Sequence, residues 1–486
     1  MVLLSKSKYL IGLQCLKYFW ISLHEKDRIP EVDLATQHKF DQGHLVGQLA
    51  KQLFPDGIDI PEADFKQNLE KTKEFIKLGK PLFEPAFMVG NLYSRADILV
   101  PNGDSWDILE VKSGTRVKDI NVHDVAFQKH VYELAGLKIK NCFLMHINNE
   151  YVKEGEINPE EILTKEEITS EVEEVIVGIK DRIDNMLNVM KNDLCPDIKI
   201  SKDCADPYDC PLEGDCWGFL PESSVFDLYR GGKKCFQLFE DGVVHISDIP
   251  HEYKLTDKQG IQHQCELKNE VYVNKEGIKH FLNTLKGTLY YLDFETFRTA
   301  IPLLDGTKPY QQIPFQWSLH VSSNGDLKHY EFLHDSKEDP RLAFLKSLKE
   351  VLGDKGTIIT YNQSFEISRL REMASAYPEY KDWVENVVVR VVDLIVPFRN
   401  FHYYNPKQKG SCGLKKVLPA IVGKDYSKLE ISDGDTASLS YLSMIYADNG
   451  DCRKDLLKYC KLDTEAMVWI VEKLKEVTML AYVGKQ

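Results

Sequence analysis

Apolar and polar residues recur with two different periods along the chain, which predicts a mixture of strands and helices. Residues 93–100 and 106–111 are short, largely apolar runs joined by the turn sequence PNGD, and they predict a β-hairpin. Apolar residues recur at helical spacing in 62–80 and 122–137, and 141–148 is a further predicted strand. The N-terminal third is therefore predicted to be α/β.

The C-terminal part of the chain predicts a second α/β unit. It opens with the apolar strand at 287–297 and ends with an amphipathic helix at about 452–475. Residues 221–285 carry only short mixed patterns, and we interpret them as a small connector domain. This divides the chain into a first domain at 1–220, the connector, and a last domain at 286–486.

The amino-acid composition excludes several classes of protein. The 486 residues are 43% hydrophobic, which is enough for two or three buried cores. The net charge of −14 excludes a generally basic surface, so a polyanionic substrate must be held by local basic patches or by metal ions. We find no secretion signal and no apolar run of about eighteen residues, so no membrane partner is expected. The eleven cysteines are then expected to be reduced thiols in the cytoplasm.

Two carboxylates and a lysine lie near the ends of the predicted hairpin strands. Asp97 is in the first strand, and Glu110 and Lys112 are two apart, so they share one face of the second. Carboxylates on adjacent strands can converge on one Mg²⁺ or Mn²⁺ ion. Lys112 can then orient the attacking water and stabilise charge on a phosphodiester. Gln128 and Tyr132 share a face of the next helix, where they can contact the same nucleic-acid strand or support Lys112.

These motifs resemble those of the RecB-like branch of the PD-(D/E)XK nucleases, in which an aspartate, E-x-K and Q-x-x-x-Y follow one another along the chain. The resemblance implies that His44, on an N-terminal helix, joins the metal shell and that Glu84 is an accessory acid. It also implies catalytic roles for Lys112, Gln128 and Tyr132. Each motif alone is common in unrelated proteins, so the assignment depends on their order and spacing together.

A run of cysteines occupies a polar loop after the first predicted domain core. Cys204, Cys210 and Cys216 have the spacing C-x5-C-x5-C, whereas zinc ribbons usually carry close C-x2-C pairs. Three thiols from one loop and a distant fourth suit a [4Fe–4S] cluster, with zinc as the alternative metal and Cys195 as a competing ligand. The resemblance to the iron–sulfur branch of RecB-like nucleases implies that Cys15 is the fourth ligand and that the cluster is structural.

The second α/β unit carries another set of acids. Asp293 and Glu295 lie on one face of its first predicted strand, where two carboxylates repel each other unless a cation lies between them. Glu366 follows farther along the chain, and Tyr459 and Asp463 are one helical turn apart.

This order of acids resembles that of the DEDDy exonucleases of the RNase H-like superfamily. The resemblance implies that four acids hold two metal ions and that Tyr459 positions the attacking water for removal of 3′-terminal nucleotides. Glu366 stands where aspartate is usual, which shifts the carboxylate by about one bond length, and Asp393 is a rival or supporting acid. The implied metal ligands are Asp293, Glu295, Glu366 and Asp463.

The combined prediction is an α/β protein with a restriction-endonuclease-like domain and a cysteine-bound cluster, a small connector, and an RNase H-like domain. The chain as a whole also resembles bacterial fusion proteins that join a RecB-like nuclease to such an exonuclease domain. We expect a metal-dependent exodeoxyribonuclease that hydrolyses phosphodiesters at DNA ends or in single strands, in repair, defence or CRISPR-type processing. The alternative is a nucleic-acid-binding or end-recognition module of a repair or defence complex, with one site degenerate.

Overall fold

The protein is described by a computed structural model in which helices and strands are interspersed, and this confirms the predicted α/β class. The described residues are 2–60, 65–447 and 450–479. Residues 62–64 of the helix predicted over 62–80 lie outside them. Within the described ranges, every helix is either too short or too polar to traverse a lipid bilayer.

The chain divides into two compact units. Unit one consists of Met1–Phe219 and Thr299–Gln311, and unit two consists of Leu220–Arg298 and Gln312–Gln486. The division after Phe219 falls beside the predicted end of the first domain, whereas the predicted connector, 221–285, belongs to unit two.

Unit one contains short strands and a series of amphipathic helices. Its strands are β1 (Leu4–Ser5), β2 (Ile58–Asp59), β3 (Leu82–Phe83), β4 (Ala86–Val89), β5 (Leu92–Arg95), β6 (Ile98–Asn102), β7 (Ser105–Lys112), β8 (Ile139–Ile147) and β9 (Leu163–Glu167). Its α-helices are α1 (Lys6–Gln14), α2 (Leu16–His24), α3 (Leu34–Lys51), α4 (Phe65–Phe75), α5 (Asp119–Leu134), α6 (Pro159–Ile162), α7 (Thr169–Ile176), α8 (Ile179–Lys191) and α9 (Glu213–Cys216).

Unit one is built around a six-stranded sheet with the order β2-β3-β6-β7-β8-β9. Strands β6 and β7 form the antiparallel hairpin, and α5 carries the chain from β7 to its parallel neighbour β8. A smaller sheet has the order β1-β5-β4. Val125, Phe127 and Val131 of α5 are fully buried in one core cluster with Ile108 of β7 and Leu144 of β8. This packing fixes α5 against the strand that carries Glu110 and Lys112.

Residues Thr299–Gln311 belong to unit one although their neighbours in the chain belong to unit two. The backbone N–H of Ala300 donates a hydrogen bond to Oε1 of Gln42 in α3 (2.7 Å). The Tyr310 hydroxyl donates to the carbonyl oxygen of Ser113, directly after β7. The segment therefore supports the strand end at which Lys112 lies.

Unit two has longer strands and ends in a long helix. Its strands are β10 (Tyr272–Val273), β11 (Leu289–Phe297), β12 (Ile313–Ser323), β13 (Asp326–Leu333), β14 (Thr357–Thr360), β15 (Val391–Asp393) and β16 (Tyr403–Tyr404). Its α-helices are α10 (Lys233–Glu240), α11 (Asp257–Lys268), α12 (Lys275–Leu282), α13 (Pro340–Val351), α14 (Ser364–Ala376), α15 (Lys381–Val388), α16 (Val396–Arg399), α17 (Leu414–Ile421), α18 (Gly434–Tyr446) and α19 (Arg453–Met479).

A five-stranded sheet with the order β13-β12-β11-β14-β15 organises unit two. Strands β11, β12 and β13 are antiparallel neighbours, and β14 and β15 run parallel to β11. The register between β11 and β12 shifts between Glu295 and Thr296, and such bulges re-aim side chains. Helix α19, predicted from 452 to about 475, buries Leu456, Met467 and Leu474. Strand β11 is thus central, and it presents its acids beneath a packed helix.

Candidate metal centres

Asp97 and Glu110 meet across the hairpin of unit one. Asp97 directly precedes β6, and its Oδ2 accepts a hydrogen bond from the backbone N–H of Val111 in β7 (2.7 Å). Glu110, also in β7, is buried, with 1% of its side chain exposed. Burial and, next, the Glu110 charge raise the pKa of Asp97 to about 6, against the opposing effect of Lys6 and Lys112. The structure therefore brings together the two acids that the sequence paired.

Lys112 joins this pair to a third acid. Its ammonium group donates to Oε1 of Glu110 and to Oδ2 of Asp124 in α5 (2.8 Å to the latter). Burial alone would raise the pKa of Glu110, but Lys112 and Lys6 together hold it below its ordinary value. Our sequence reasoning missed Asp124. Its signal was present, because Asp124 lies four residues before Gln128 and therefore on the same helix face.

Gln128 and Tyr132 are fully buried, which contradicts the predicted contact with a nucleic-acid strand. The Gln128 amide donates to Oε2 of Glu110 (2.7 Å) and to Oδ1 of Asp124 (2.9 Å), so this residue orients the acids. The Tyr132 hydroxyl donates to the carbonyl oxygen of Pro85 (2.8 Å) and accepts from the N–H of Ala96 (2.7 Å). Tyr132 therefore supports the backbone next to Asp97 rather than Lys112, and its catalytic role stays a prediction.

A cleft of about 580 Å³ opens over these acids. His44, on the exposed side of α3, lines it together with Asp97 and Glu110, and its Nε2 lies 2.9 Å from the Gln48 amide. Glu84 also lines the cleft, and its Oε2 lies 3.0 Å from Nε of Arg95. Several cations line the same cleft and favour a polyanion there. They are Lys6, Lys39, Lys51 and Lys112.

The predicted cluster ligands also come close together. Burial raises the pKa of Cys210 to about 11, and the thiols of Cys15, Cys204 and Cys216 contribute to the rise. Cys195 packs in the same apolar cluster as Cys210 and Cys216, and it stays a competing ligand.

The cysteine loop is anchored to α1. The side-chain amide of Gln14, the last residue of α1, donates to the carbonyl oxygens of Asp203 (3.0 Å) and Tyr208 (2.5 Å). Cys15 follows as the N-cap of α2, where its sulfur accepts from the N–H of Tyr18 (3.5 Å). Hydrogen bonds alone therefore place the N-terminal helix pair beside the cysteine loop.

In unit two, Asp293 and Glu295 of β11 form a compact group with Cys460 of α19. A carboxylate oxygen from each acid and the Cys460 sulfur all lie within 4.8 Å of one another. Burial raises the pKa of Asp293 well above its ordinary value, and the charges of Asp463, Glu295 and Glu366 add to the rise. Such a set of acids is stabilised by a bound cation. No motif in the sequence includes Cys460, and the packing of α19 against β11 brings it into the group.

Asp463 lies in the same region and is held by tyrosines. The Tyr426 hydroxyl donates to Oδ1 of Asp463 (2.5 Å), and the nearby Tyr459 hydroxyl also lowers the pKa of this carboxyl. Burial raises the pKa of Asp463 to about 6 against these effects. The ammonium of Lys415 lies 5.2 Å from the centre of the Tyr459 ring and 5.7 Å from that of Tyr426. Tyr426 belongs to no motif in the sequence, whereas Lys415 lies in the basic stretch 405–416, one of the local patches expected to hold a polyanion.

Glu366 is near the other acids but outside the compact group. It is buried in the first turn of α14, and its pKa is raised to about 8, chiefly by burial. Among the described residues, its Oε2 has no hydrogen-bond partner, as expected of an oxygen available to a cation. Asp393 instead accepts from the backbone N–H groups of Asn362 (2.8 Å) and Ile395 (3.1 Å), so it supports the loop before α14.

Comparisons with known proteins give relatives but no activity. Residues 290–413 match a family described as a domain of unknown function, DUF2779. An uncharacterised protein, MG366 of Mycoplasma genitalium, is 30% identical over 220 residues, which cover 40% of this chain and 33% of that protein. The uncharacterised protein UU173 of Ureaplasma parvum is 25% identical over 236 residues, 43% of this chain and 34% of its own. The chain thus spans about a third of the length of the curated relatives it matches. No solved structure matches it.

Proposed function

We propose that this protein is a metal-dependent nuclease with two active sites, acting on DNA ends or single strands in the cytoplasm. One observation carries the proposal: in each unit, acids from separate elements meet, Asp97 with Glu110 in one cleft, and Asp463 of α19 beside Asp293 of β11. Carboxylates in such proximity are costly unless cations neutralise them, and in unit one Lys6 and Lys112 offset only two of the three negative charges. Divalent ions that bridge carboxylates and phosphates provide that neutralisation.

The arrangement of strands supports the two fold assignments. In unit one, the acids sit on the β6–β7 hairpin and the glutamine on the following α5, in the order that the RecB-like resemblance requires, which favours a restriction-endonuclease-like domain. In unit two, the first strand of the sheet is central and the last helix packs over it, which favours an RNase H-like domain. Both assignments are part of the proposal.

In unit one, Asp97 and Glu110 would hold a Mg²⁺ or Mn²⁺ ion, with His44 as a further ligand from α3. A bound ion lowers the pKa of the attacking water and polarises the phosphodiester. Lys112 directs its ammonium group to Glu110 and Asp124, and beside a bound ion it would orient the water and offset charge on the phosphate. Gln128 fixes the Glu110 carboxylate, which limits its freedom to leave the reactive geometry.

In unit two, Asp293, Glu295, Glu366 and Asp463 would hold the ions, and the Cys460 thiol lies within reach of the first two. Tyr459, on the same turn of α19 as Asp463, would position the attacking water. Lys415 adds a cation beside that phenol and favours an incoming phosphate.

The four cysteines of unit one fit a structural cluster. Their thiols lie in electrostatic range of one another, and four thiolates are the donor set of a [4Fe–4S] centre, with zinc as the alternative. The cluster would join the start of unit one, at Cys15, to the loop that contains Cys204, Cys210 and Cys216.

A second candidate function is nucleic-acid binding without cleavage, in which one site is degenerate. Glu366 favours this for unit two, because a glutamate where aspartate is usual moves the carboxylate by about one bond length. The two functions are separated by incubating the full chain with end-labelled single- and double-stranded DNA and RNA in Mg²⁺, Mn²⁺ or EDTA. Metal-dependent products support the nuclease, whereas retained binding without products in either metal overturns it.

A further inference from the structure

Lys6 places a second ammonium group in the acid cluster of unit one. It is the first residue of α1, and 104 positions separate it from Glu110, whose Oε1 accepts a hydrogen bond from its Nζ (2.8 Å). The same Nζ lies 3.7 Å from Oδ1 of Asp124. Only 22% of the Lys6 side chain is exposed. None of the motifs that define the site includes this residue.

The hydrogen bonds leave few free positions on two of the three carboxylates. Oε1 of Glu110 accepts from Lys6 and Lys112, and its Oε2 accepts from Gln128. Both oxygens of Asp124 are also engaged, one by Lys112 and the other by Gln128. Each carboxylate oxygen offers about two lone-pair positions for hydrogen bonds or metal ions. Oε1 of Glu110 has both positions occupied, and Oε2 has one position left for a metal ion.

The charge balance of the site also limits the number of divalent ions that it can bind. Three carboxylates face two ammonium groups, which leaves one net negative charge when all five are ionised. One divalent ion changes the net charge of the site to one positive charge. The single negative charge of a substrate phosphodiester then brings the net charge to zero. A second ion would have to approach the two ammonium groups at close range, which is strongly unfavourable in a buried site.

We propose that Lys6 is a positioning residue that takes the place of a second metal ion, so that the site of unit one binds a single divalent ion. The inference deepens the proposed function and depends on its assignment of Asp97 and Glu110 as metal ligands. Helix α1 keeps Lys6 in place, because Ser5 caps its start and Gln14 ties its end to the cysteine loop.

The test counts Mn²⁺ ions bound to the full chain by electron paramagnetic resonance, without nucleic acid. The parent carries Asp293→Asn and Glu295→Gln, so that unit two contributes little to the count. The parent is expected to bind one Mn²⁺ ion, and Lys6→Met and Lys6→Gln are expected to bind two. Lys6→Arg, which keeps the charge, and Lys39→Met, which removes another lysine of the same cleft, should both remain at one.

Two bound ions in the parent overturn the inference without any variant, so it is testable even if Lys6→Met does not fold. A count that stays at one in folded Lys6→Met and Lys6→Gln also overturns it. The count is read without substrate and therefore separately from the proposed function. If the number of bound Mn²⁺ ions rises as expected but no DNA is cleaved, the role of Lys6 is supported and the proposed nuclease activity is rejected. If DNA is cleaved and the number does not change, the nuclease activity is supported and the role of Lys6 is rejected.

Discussion

The hydroxyl of Tyr426 donates a hydrogen bond to Oδ1 of Asp463 at 2.5 Å, although the two residues are 37 positions apart. The bond stabilises the charged form of a buried carboxyl and so lowers its pKa against the effect of burial. Asp463 can bind a divalent ion only when it is deprotonated. Tyr426 therefore keeps this acid available as a ligand near neutral pH.

Replacing Tyr426 by phenylalanine is expected to move the acid limb of the pH profile of the proposed unit-two exonuclease to higher pH. The lost hydrogen bond raises the pKa of Asp463 above its value of about 6, so a larger fraction is protonated at a given pH. The measurement is kcat/KM against pH in the Lys112→Ala background. Tyr330→Phe, at an exposed position of β13, is the matched control. An unchanged acid limb in Tyr426→Phe would contradict the role given to this phenol.

Lys112→Ala is expected to reduce cleavage by unit one by a factor of roughly 10²–10⁴, the usual range for a lost proton-transfer group. The assay uses the Asp293→Asn background, so that products of unit two do not mask the loss. Lys180→Ala removes an exposed lysine of α8 that does not line the cleft, and it should retain the activity. Thermal melting of each variant separates chemistry from folding, and a fully active, folded Lys112→Ala would remove this residue from the mechanism.

Without metal, unit two is expected to lose stability as pH rises from about 4.5 to about 8. The folded state holds the proton of Glu366 up to about pH 8, whereas the unfolded chain releases it near 4.5. The folded state binds more protons in this window, so the free energy of unfolding falls with rising pH. Glu366→Gln should remove this part of the fall, a gain in the free energy of unfolding of about 4 kcal/mol at pH 8.

The measurement is amide hydrogen exchange of β11 and α19 peptides in EDTA at pH 5 and pH 8, corrected for the intrinsic exchange rate. Glu350→Gln, at an exposed position of α13, serves as the control and should follow the wild type. A wild-type protein whose β11 is equally protected at both pH values would show that the Glu366 proton is not retained.

Cys204→Ser is expected to abolish iron binding and to lower the melting temperature of unit one, because it removes one thiolate from the proposed cluster. Cys195→Ser is the matched control, since this thiol packs nearby but is not in the proposed ligand set. Anaerobic purification, the thiolate-to-iron absorption band and an iron assay give the result. If the protein contains zinc instead of iron, the proposed [4Fe–4S] cluster is replaced by a zinc site. If only Cys195→Ser loses iron, Cys195 is a ligand and Cys204 is not.

The sequence was most informative where the chemistry is local. Glu110 and Lys112 share a strand face because of their spacing, and the alternation of a strand determines this without any tertiary information. The same holds for Gln128, whose helix position faces the acids. Asp124 lies on the same helix face by the same spacing, but it is not part of the Q-x-x-x-Y motif and was therefore not predicted as a site residue.

Other parts of the sites depend on packing between distant segments. Lys6 reaches Glu110, and Tyr426 reaches Asp463, only after the chain has folded, and neither carries a local pattern. Tyr132 fits its motif, but its complete burial decides that it supports the backbone of Ala96 instead of meeting substrate. A motif thus indicates where a residue lies, whereas burial and partners decide what it does.

The most direct test of the central claim is anomalous diffraction from crystals of the full chain soaked in Mn²⁺. The account predicts one Mn²⁺ peak between Asp97 and Glu110, and Mn²⁺ density among Asp293, Glu295 and Asp463. Crystals that take up Mn²⁺ elsewhere while both groups of acids remain without a peak would contradict it.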